Sequence, residues 1–371
     1  MGFVLLLIGC GTPWDEGVEG GLRVLRWDAS TDTAGVVDVV VPVEPGETAM
    51  LLTASAPADR LLFVHSVRGP GGDARLDAKD FWELDTNQVN AAFSAPISSI
   101  NWPYDASAPA LEPGRWRVSV RADAAQVPVA LSVVLKRDDD FSQGALTVNV
   151  LIAASLEQDP LLLPGIEDAL AIWREEIYAP VGIDVVLQTS FVELPEQIEQ
   201  PGVGDAELYT ALAEASARGE VNLVVTDRVT ANPLLLGISG GIPGPLVAAR
   251  NAAVALSVAS ASEAAGRDRV FSSAEVELFA ETMAHEVGHY LGLFHPAEMP
   301  ITGFTPPAWD ALADTPKCDP FEDCIATLGG NLMFPTPVCE DDEAFVCPSY
   351  LWQRTLSDLQ VALTQRYTGV R

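Results

Sequence analysis

Three of the four histidines in this 371-residue chain fall within eleven residues, HEVGHYLGLFH, at positions 285, 289 and 295. That spacing restricts the local fold sharply. Residues four apart on an α-helix lie about 40° apart around the axis and about 6 Å along it, so His285 and His289 share one face. His295 comes six residues after His289 and would point roughly 240° further round if the helix continued. The chain must therefore leave the helix and turn back. Gly292 stands where that turn is needed, because glycine alone enters the left-handed region without a steric penalty. Ser272 and Glu275 form a Ser-x-x-Glu cap at the helix start, and Val276, Phe279, Ala280, Met283, Val287 and Leu291 recur at helical spacing behind it.

Two histidines on a helix, a glycine stop and a returning third histidine give three nitrogen ligands with a fourth position open. That is the donor set of a catalytic zinc site, since a structural site is closed. Glu286 neighbours the first histidine and reaches the rim of the same site without binding the metal. It is placed to accept a proton from a water there. A bare HExxH recurs by chance, but the longer pattern drawn from only four histidines does not.

The rest of the chain reads as two domains. Residues 1–20 form a leader and 21–136 a β-sandwich; 137–144, polar and ending in Gly, form a linker, and 145–371 form a second domain. GVVDVVVPV (35–43), AMLLTAS (49–55) and RLLFVHS (60–66) are β-rich runs bounded by Gly, Pro and Asp. RWRVSVR (115–121) alternates, with Trp116, Val118 and Val120 inward and Arg115, Arg117, Ser119 and Arg121 outward, and VPVALSVVL (127–135) follows at hairpin distance. His65, within the run at 60–66, reads as structural. After the linker, strands at 145–154, 183–194, 221–227 and 252–258 alternate with helices, one carrying Ile166, Leu170, Trp173 and Ile177 and stopping before Pro180, the other at 205–217. Such alternation points to an α/β sheet domain, so the whole chain reads as α+β or α/β.

The formal net charge of −31 repels phosphate backbones and anionic headgroups, which excludes nucleic acid as a partner. Cys318, Cys324, Cys339 and Cys347 crowd into thirty residues without a CxxC pair, which favours two disulfides and an oxidising compartment over a structural zinc site. Three pairings are open, one or more of which would bridge across Met333. Cys10 ends a short apolar run, MGFVLLLIGC, that resembles a bacterial lipoprotein signal, although no Lys or Arg precedes it. A lipid on Cys10 is the only membrane contact expected; a plain secretory signal is the other reading. Either places the chain outside the cytoplasm, at the surface or secreted.

HExxHxxGxxH is the signature of the metzincin zinc peptidases, and the chain resembles that family in further respects. GGNLMFP (329–335) resembles its Met-turn, with Met333 under the metal. Asp310, ADTP (313–316), Cys318, Cys324 and Asn331-Leu332-Met333 are similar to the pappalysin-like (cytophagalysin) branch, and LSDLQ (356–360) looks like the start of that branch's last helix. The resemblance spans roughly 145–371. It implies a twisted sheet, an active-site helix, a Met-turn and a C-terminal helix. It departs at Pro335, where many metzincins carry a tyrosine that approaches the zinc, so no such role is assigned.

Together these readings lead to a zinc-dependent endopeptidase, monomeric, acting on protein or peptide substrates. His285, His289 and His295 hold one Zn2+, Glu286 is the general base, and an edge strand near 237–246 pairs with extended substrate. CEDDEAF (339–345) has three open readings: a preference for Lys or Arg beyond the scissile bond, a Ca2+ site, or a solvated face. The rival from another class is a surface lipoprotein, for binding or adhesion, with an inactive zinc site; a non-proteolytic zinc hydrolase is the third.

Overall fold

Period-two alternation builds the first half of the chain. The strands are β1 (Asp15–Glu19), β2 (Leu22–Ser30), β3 (Val36–Val43), β4 (Glu47–Ser55), β5 (Leu62–Arg68), β6 (Ala74–Asp77), β7 (Ile97–Trp102), β8 (Gly114–Ala122) and β9 (Pro128–Arg137). They form two antiparallel sheets, ordered β1-β2-β9-β4-β7 and β3-β8-β5-β6. Trp27, Met50, Leu52, Val133 and Leu135 face Val39, Val41, Val64, Trp116, Val118 and Val120 across a shared core. Each fully buried aliphatic side chain of this kind contributes about 1.5–3 kcal/mol. The computed structural model describes residues 14–77, 96–104, 108–137, 139–202, 204–216, 219–230, 232, 234–264, 269–298, 310, 312–318, 321–339 and 350–371. Cys10, Cys347 and all but the first residue of the acidic stretch 339–345 lie outside them.

Three expectations are corrected here. Residues 15–19 are not leader but a strand paired with β2. β8 and β9 do not make a hairpin, because the chain crosses from one sheet to the other between them. Ser119 is buried, not solvated, and its hydroxyl hydrogen-bonds the carboxylate of Asp38, its partner on the neighbouring strand β3.

In the second half the central strands at 144–153, 221–226 and 254–257 become largely apolar, as strands of a parallel sheet covered on both faces do, while the edge strand at 183–192 stays mostly exposed. The elements are β10 (Gly144–Ala153), α1 (Leu163–Ile172), β11 (Ile183–Val192), β12 (Gln197–Ile198), α2 (Ala206–Ala215), β13 (Val221–Thr226), β14 (Arg228–Val229), β15 (Gly237–Ser239), β16 (Val254–Ser257), α3 (Val258–Ser262), α4 (Ser273–Tyr290), α5 (Phe321–Leu328) and α6 (Asp358–Arg366). The main sheet runs β11-β10-β13-β16-β15; the first four strands are parallel and β15 is an antiparallel edge. The architecture is thus mixed, with sheets and helices in both segregated and alternating order. After α1 the chain winds through a π-helical turn (Trp173–Tyr178) and a 3-10 turn (Ala179–Val181) that holds Pro180. Ile166, Leu170, Trp173 and Ile177 are all buried. The Tyr178 hydroxyl donates to Ala284 O at 2.8 Å and ties this segment to α4.

The sandwich is welded to the second domain. Leu22, Val24, Leu51 and Val134 belong to the same apolar cluster as Val148, Met283 and Met333. Asn101 Nδ2 donates to Arg366 O (2.9 Å) and Asn101 Oδ1 accepts from Thr368 N (2.9 Å). Lys136, the last residue of the expected sandwich, is buried at this seam, where its Nζ donates to Val370 O at 2.6 Å.

Candidate metal centre

The site begins with how α4 starts and stops. Ser272 N donates to Glu275 Oε2 (2.8 Å) while Glu275 N donates to Ser272 Oγ (3.3 Å), a reciprocal cap. At the far end Leu293 N donates to Gly288 O (3.0 Å) and Gly292 N to His289 O (2.8 Å). This pair of bonds closes the helix through a left-handed residue, and Gly292 has φ +109°. The reversal brings His295 back over the face that carries His285 and His289.

The three rings converge. His295 Nε2 lies 3.2 Å from His285 Nε2 and 3.0 Å from His289 Nε2. The other ring nitrogens are all engaged. His285 Nδ1 donates to Leu332 O (2.7 Å), His289 Nδ1 to Leu293 O (2.7 Å) and His295 Nδ1 to Glu298 Oε2 (3.0 Å). Carbonyl and carboxylate oxygens only accept, so each Nδ1 carries the proton and each Nε2 presents a bare lone pair. Three lone pairs aimed at one another repel unless a cation lies among them. Tetrahedral zinc at 2.0–2.1 Å from each nitrogen needs N···N separations of about 3.3 Å, close to those found. Burial pushes the His285 imidazole down to about 3 and holds His289 well below its ordinary value, so both rings stay neutral near pH 7. The residues fit the zinc that the sequence implies.

Glu286 points from α4 toward the edge strand. Burial pushes its carboxyl up to about 8, opposed by a hydrogen bond from the Ser239 backbone N–H on β15. Gly237 makes room for it, since a Cβ there would stand 2.8 Å from Glu286 Cγ. α4 and β15 therefore pack closely at this point, with the acid–base candidate on the β15 side of the histidines.

Met333 is fully buried, and its sulfur lies so close under α4 that a Cβ on Gly288 would meet it at 2.6 Å. Leu332, one residue earlier, supplies the carbonyl that holds His285. Pro335 is half-buried and has no hydroxyl to offer the site. Cys318 pairs with Cys324, Cα–Cα 5.3 Å, and Cys339 is disulfide-bonded as well. The Cys318–Cys324 bridge ties the segment before α5 to a residue within that helix and does not span Met333. Asp314 of the ADTP stretch accepts from Ser357 Oγ (3.0 Å) and Leu359 N (2.8 Å), docking the loop on the start of α6. Glu298 and Gly288 were not singled out by the sequence, whereas Gly237 and Ser239 fall within the stretch expected to form the edge strand. A carboxylate three residues past the third histidine was the one readable signal among them.

Asp310 is buried in this loop, with Oδ1 accepting from Thr315 Oγ1 and Leu312 N and with Oδ2 lacking a partner among the described residues. Burial pushes its carboxyl up to about 6 from 3.8. An acid with a raised folded-state value binds its proton more tightly when folded. Its stabilising effect is complete below the unfolded value and is lost as pH rises between about 4 and 6. Asp310→Asn keeps the Oδ1 acceptor and removes the titration. Its melting temperature should match the parent near pH 4 and exceed it above pH 6; parallel profiles for the two proteins would contradict this.

No protein family matches the sequence, and no curated protein does. Solved structures do align with it. A zinc-dependent peptidase from Methanocorpusculum labreanum is 14% identical over 58% of this chain and 99% of that one, with a TM-score of 0.31. Metalloproteinase-II from Bacteroides fragilis is 11% identical over 76% of this chain and 75% of that one, with a TM-score of 0.29. Archaemetzincin from Methanopyrus kandleri is 17% identical over 40% and 76%, with a TM-score of 0.25. Likenesses this distant carry no argument about function, which rests on the side chains described above.

Proposed function

We propose that the chain is a zinc-dependent endopeptidase of the pappalysin-like metzincin type, exported from the cytoplasm. The observation that carries this reading is the convergence of three Nε2 atoms, each with its Nδ1 proton committed elsewhere, beside a half-buried glutamate at the edge of a sheet. Zinc held there supplies the Lewis acidity that hydrolysis of an amide needs. Glu286 takes a proton from the attacking water and passes it to the leaving nitrogen. Glu298 holds the His295 ring and its tautomer. β15, the last strand of its sheet among the described residues, aligns an extended peptide by strand addition. The Cys318–Cys324 disulfide supports an oxidising compartment.

The test is digestion of casein and gelatin by the full chain, with metal content measured on the same preparation. The expected result is one zinc per chain and cleavage that 1,10-phenanthroline stops and added zinc restores. Zinc binding without cleavage would favour the binding or adhesion reading. Cleavage indifferent to chelator would remove the histidine site from the chemistry.

A further inference from the structure

The C-terminal helix is wired to the metal centre through two buried amides. Gln360, fully buried, is the third residue of α6 and completes its cap, with Oε1 accepting from Ser357 N at 2.9 Å. The same Oε1 accepts from Asn331 Nδ2 at 2.8 Å. Gln360 Nε2 approaches Asn331 Oδ1 at 3.4 Å, so the two amides face each other. Asn331 Oδ1 in turn accepts from Met333 N at 2.9 Å. That N–H belongs to the peptide plane between Leu332 and Met333, whose carbonyl accepts from His285 Nδ1 at 2.7 Å. In a trans peptide the N–H and C=O point in opposite directions across one plane. Holding the N–H with Asn331 therefore aims the Leu332 carbonyl at the histidine. The preceding N–H, on Leu332, is held by Thr355 O at 2.8 Å, so the plane cannot rotate freely from that side either.

We propose that Asn331 and Gln360 are positioning residues: as an amide pair anchored in the α6 cap, they fix the peptide plane that selects the His285 tautomer and so keep its Nε2 free for metal. The consequence for zinc rests on the function proposed above; the tautomer itself does not. Loss of a partner one shell beyond a metal ligand costs about 10- to 100-fold in metal affinity.

The test uses the full chain labelled with 15N-histidine. The His285 tautomer is read by NMR on the metal-free protein, and zinc affinity by competition with a chromophoric chelator. Gln360→Met and Asn331→Ala should mix the His285 tautomers and weaken zinc by about 10- to 100-fold. Gln360→Glu keeps an oxygen that accepts from both Ser357 N and Asn331 Nδ2, and should recover most of that affinity. Ser357→Ala weakens the same helix cap without touching the amide pair; it should lower the melting temperature and leave the tautomer alone. Gln360→Asn, one methylene shorter, is the milder variant and should move tautomer and affinity in the same direction as Gln360→Met. If the Gln360 variants only lower the melting temperature, as Ser357→Ala does, and leave both readouts unchanged, the proposal is wrong. A parent chain that takes up no zinc would overturn the metal-site reading, while the tautomer measurement would still decide the relay.

Discussion

Glu286→Gln leaves zinc bound and lowers peptide hydrolysis by about 10²- to 10⁴-fold, the range a positioned general acid–base contributes. Glutamine has the same shape, and its amide oxygen accepts the Ser239 N–H as the carboxylate does. The pocket left by Gly237 is unchanged, so the backbone of α4 and β15 stays in place. What is lost is a base with a place for a proton. The fall should therefore appear in kcat, with KM and zinc stoichiometry close to the parent values. Activity within a few-fold of the parent would remove Glu286 from the proton-transfer role.

Lys136→Met should cost about 3–5 kcal/mol of unfolding free energy, the usual cost of breaking a buried ion pair from one side. Lys136 Nζ lies 2.6 Å from Asp139 Oδ2, with the two side chains 2% and 9% exposed. It also donates to Val370 O at 2.6 Å and to Tyr367 O at 3.3 Å. Burial lowers the lysine's proton affinity and Asp139 opposes that shift. Methionine replaces the aliphatic stem but takes the lysine donor away from Asp139 Oδ2 and Val370 O, while Phe141 N still donates to Asp139 Oδ1 and Val370 N to Tyr367 O. Because a domain's whole stability is about 5–15 kcal/mol, the loss should be plain in urea unfolding. Lys136→Met with Asp139→Leu should recover part of it, since the orphaned charge is then gone. A loss under about 1 kcal/mol in the single variant would mean that the seam between the domains does not depend on this lysine.

Features set by local spacing were legible in the sequence. The α4 cap at Ser272 and Glu275, the stop at Gly292 and the meeting of three histidines follow from helix geometry and from glycine's freedom. Buried Trp116, Val118 and Val120 follow from alternation. Features set by contacts between distant segments were not. Alternation finds β8 and β9 but does not say that they lie in different sheets. Lys136 stands at the head of a charged run that looks solvated, and only the segment 367–370 lying against it shows why it is buried. Gly237 precedes Glu286 by nearly fifty residues, and nothing at either position announces that one makes room for the other. Four clustered cysteines admit three pairings, and geometry, not spacing, joins Cys318 to Cys324.

The central claim is that one zinc ion is held by His285, His289 and His295 through Nε2. X-ray absorption at the zinc edge, on protein loaded with one equivalent, tests it most directly. The expected spectrum has three imidazole nitrogens at about 2.0–2.1 Å, one further light atom and no sulfur. It should lose imidazole scattering in His289→Ala. A sulfur shell near 2.3 Å, or a spectrum of hydrated zinc with no imidazole contribution, would contradict the site and the chemistry assigned to it.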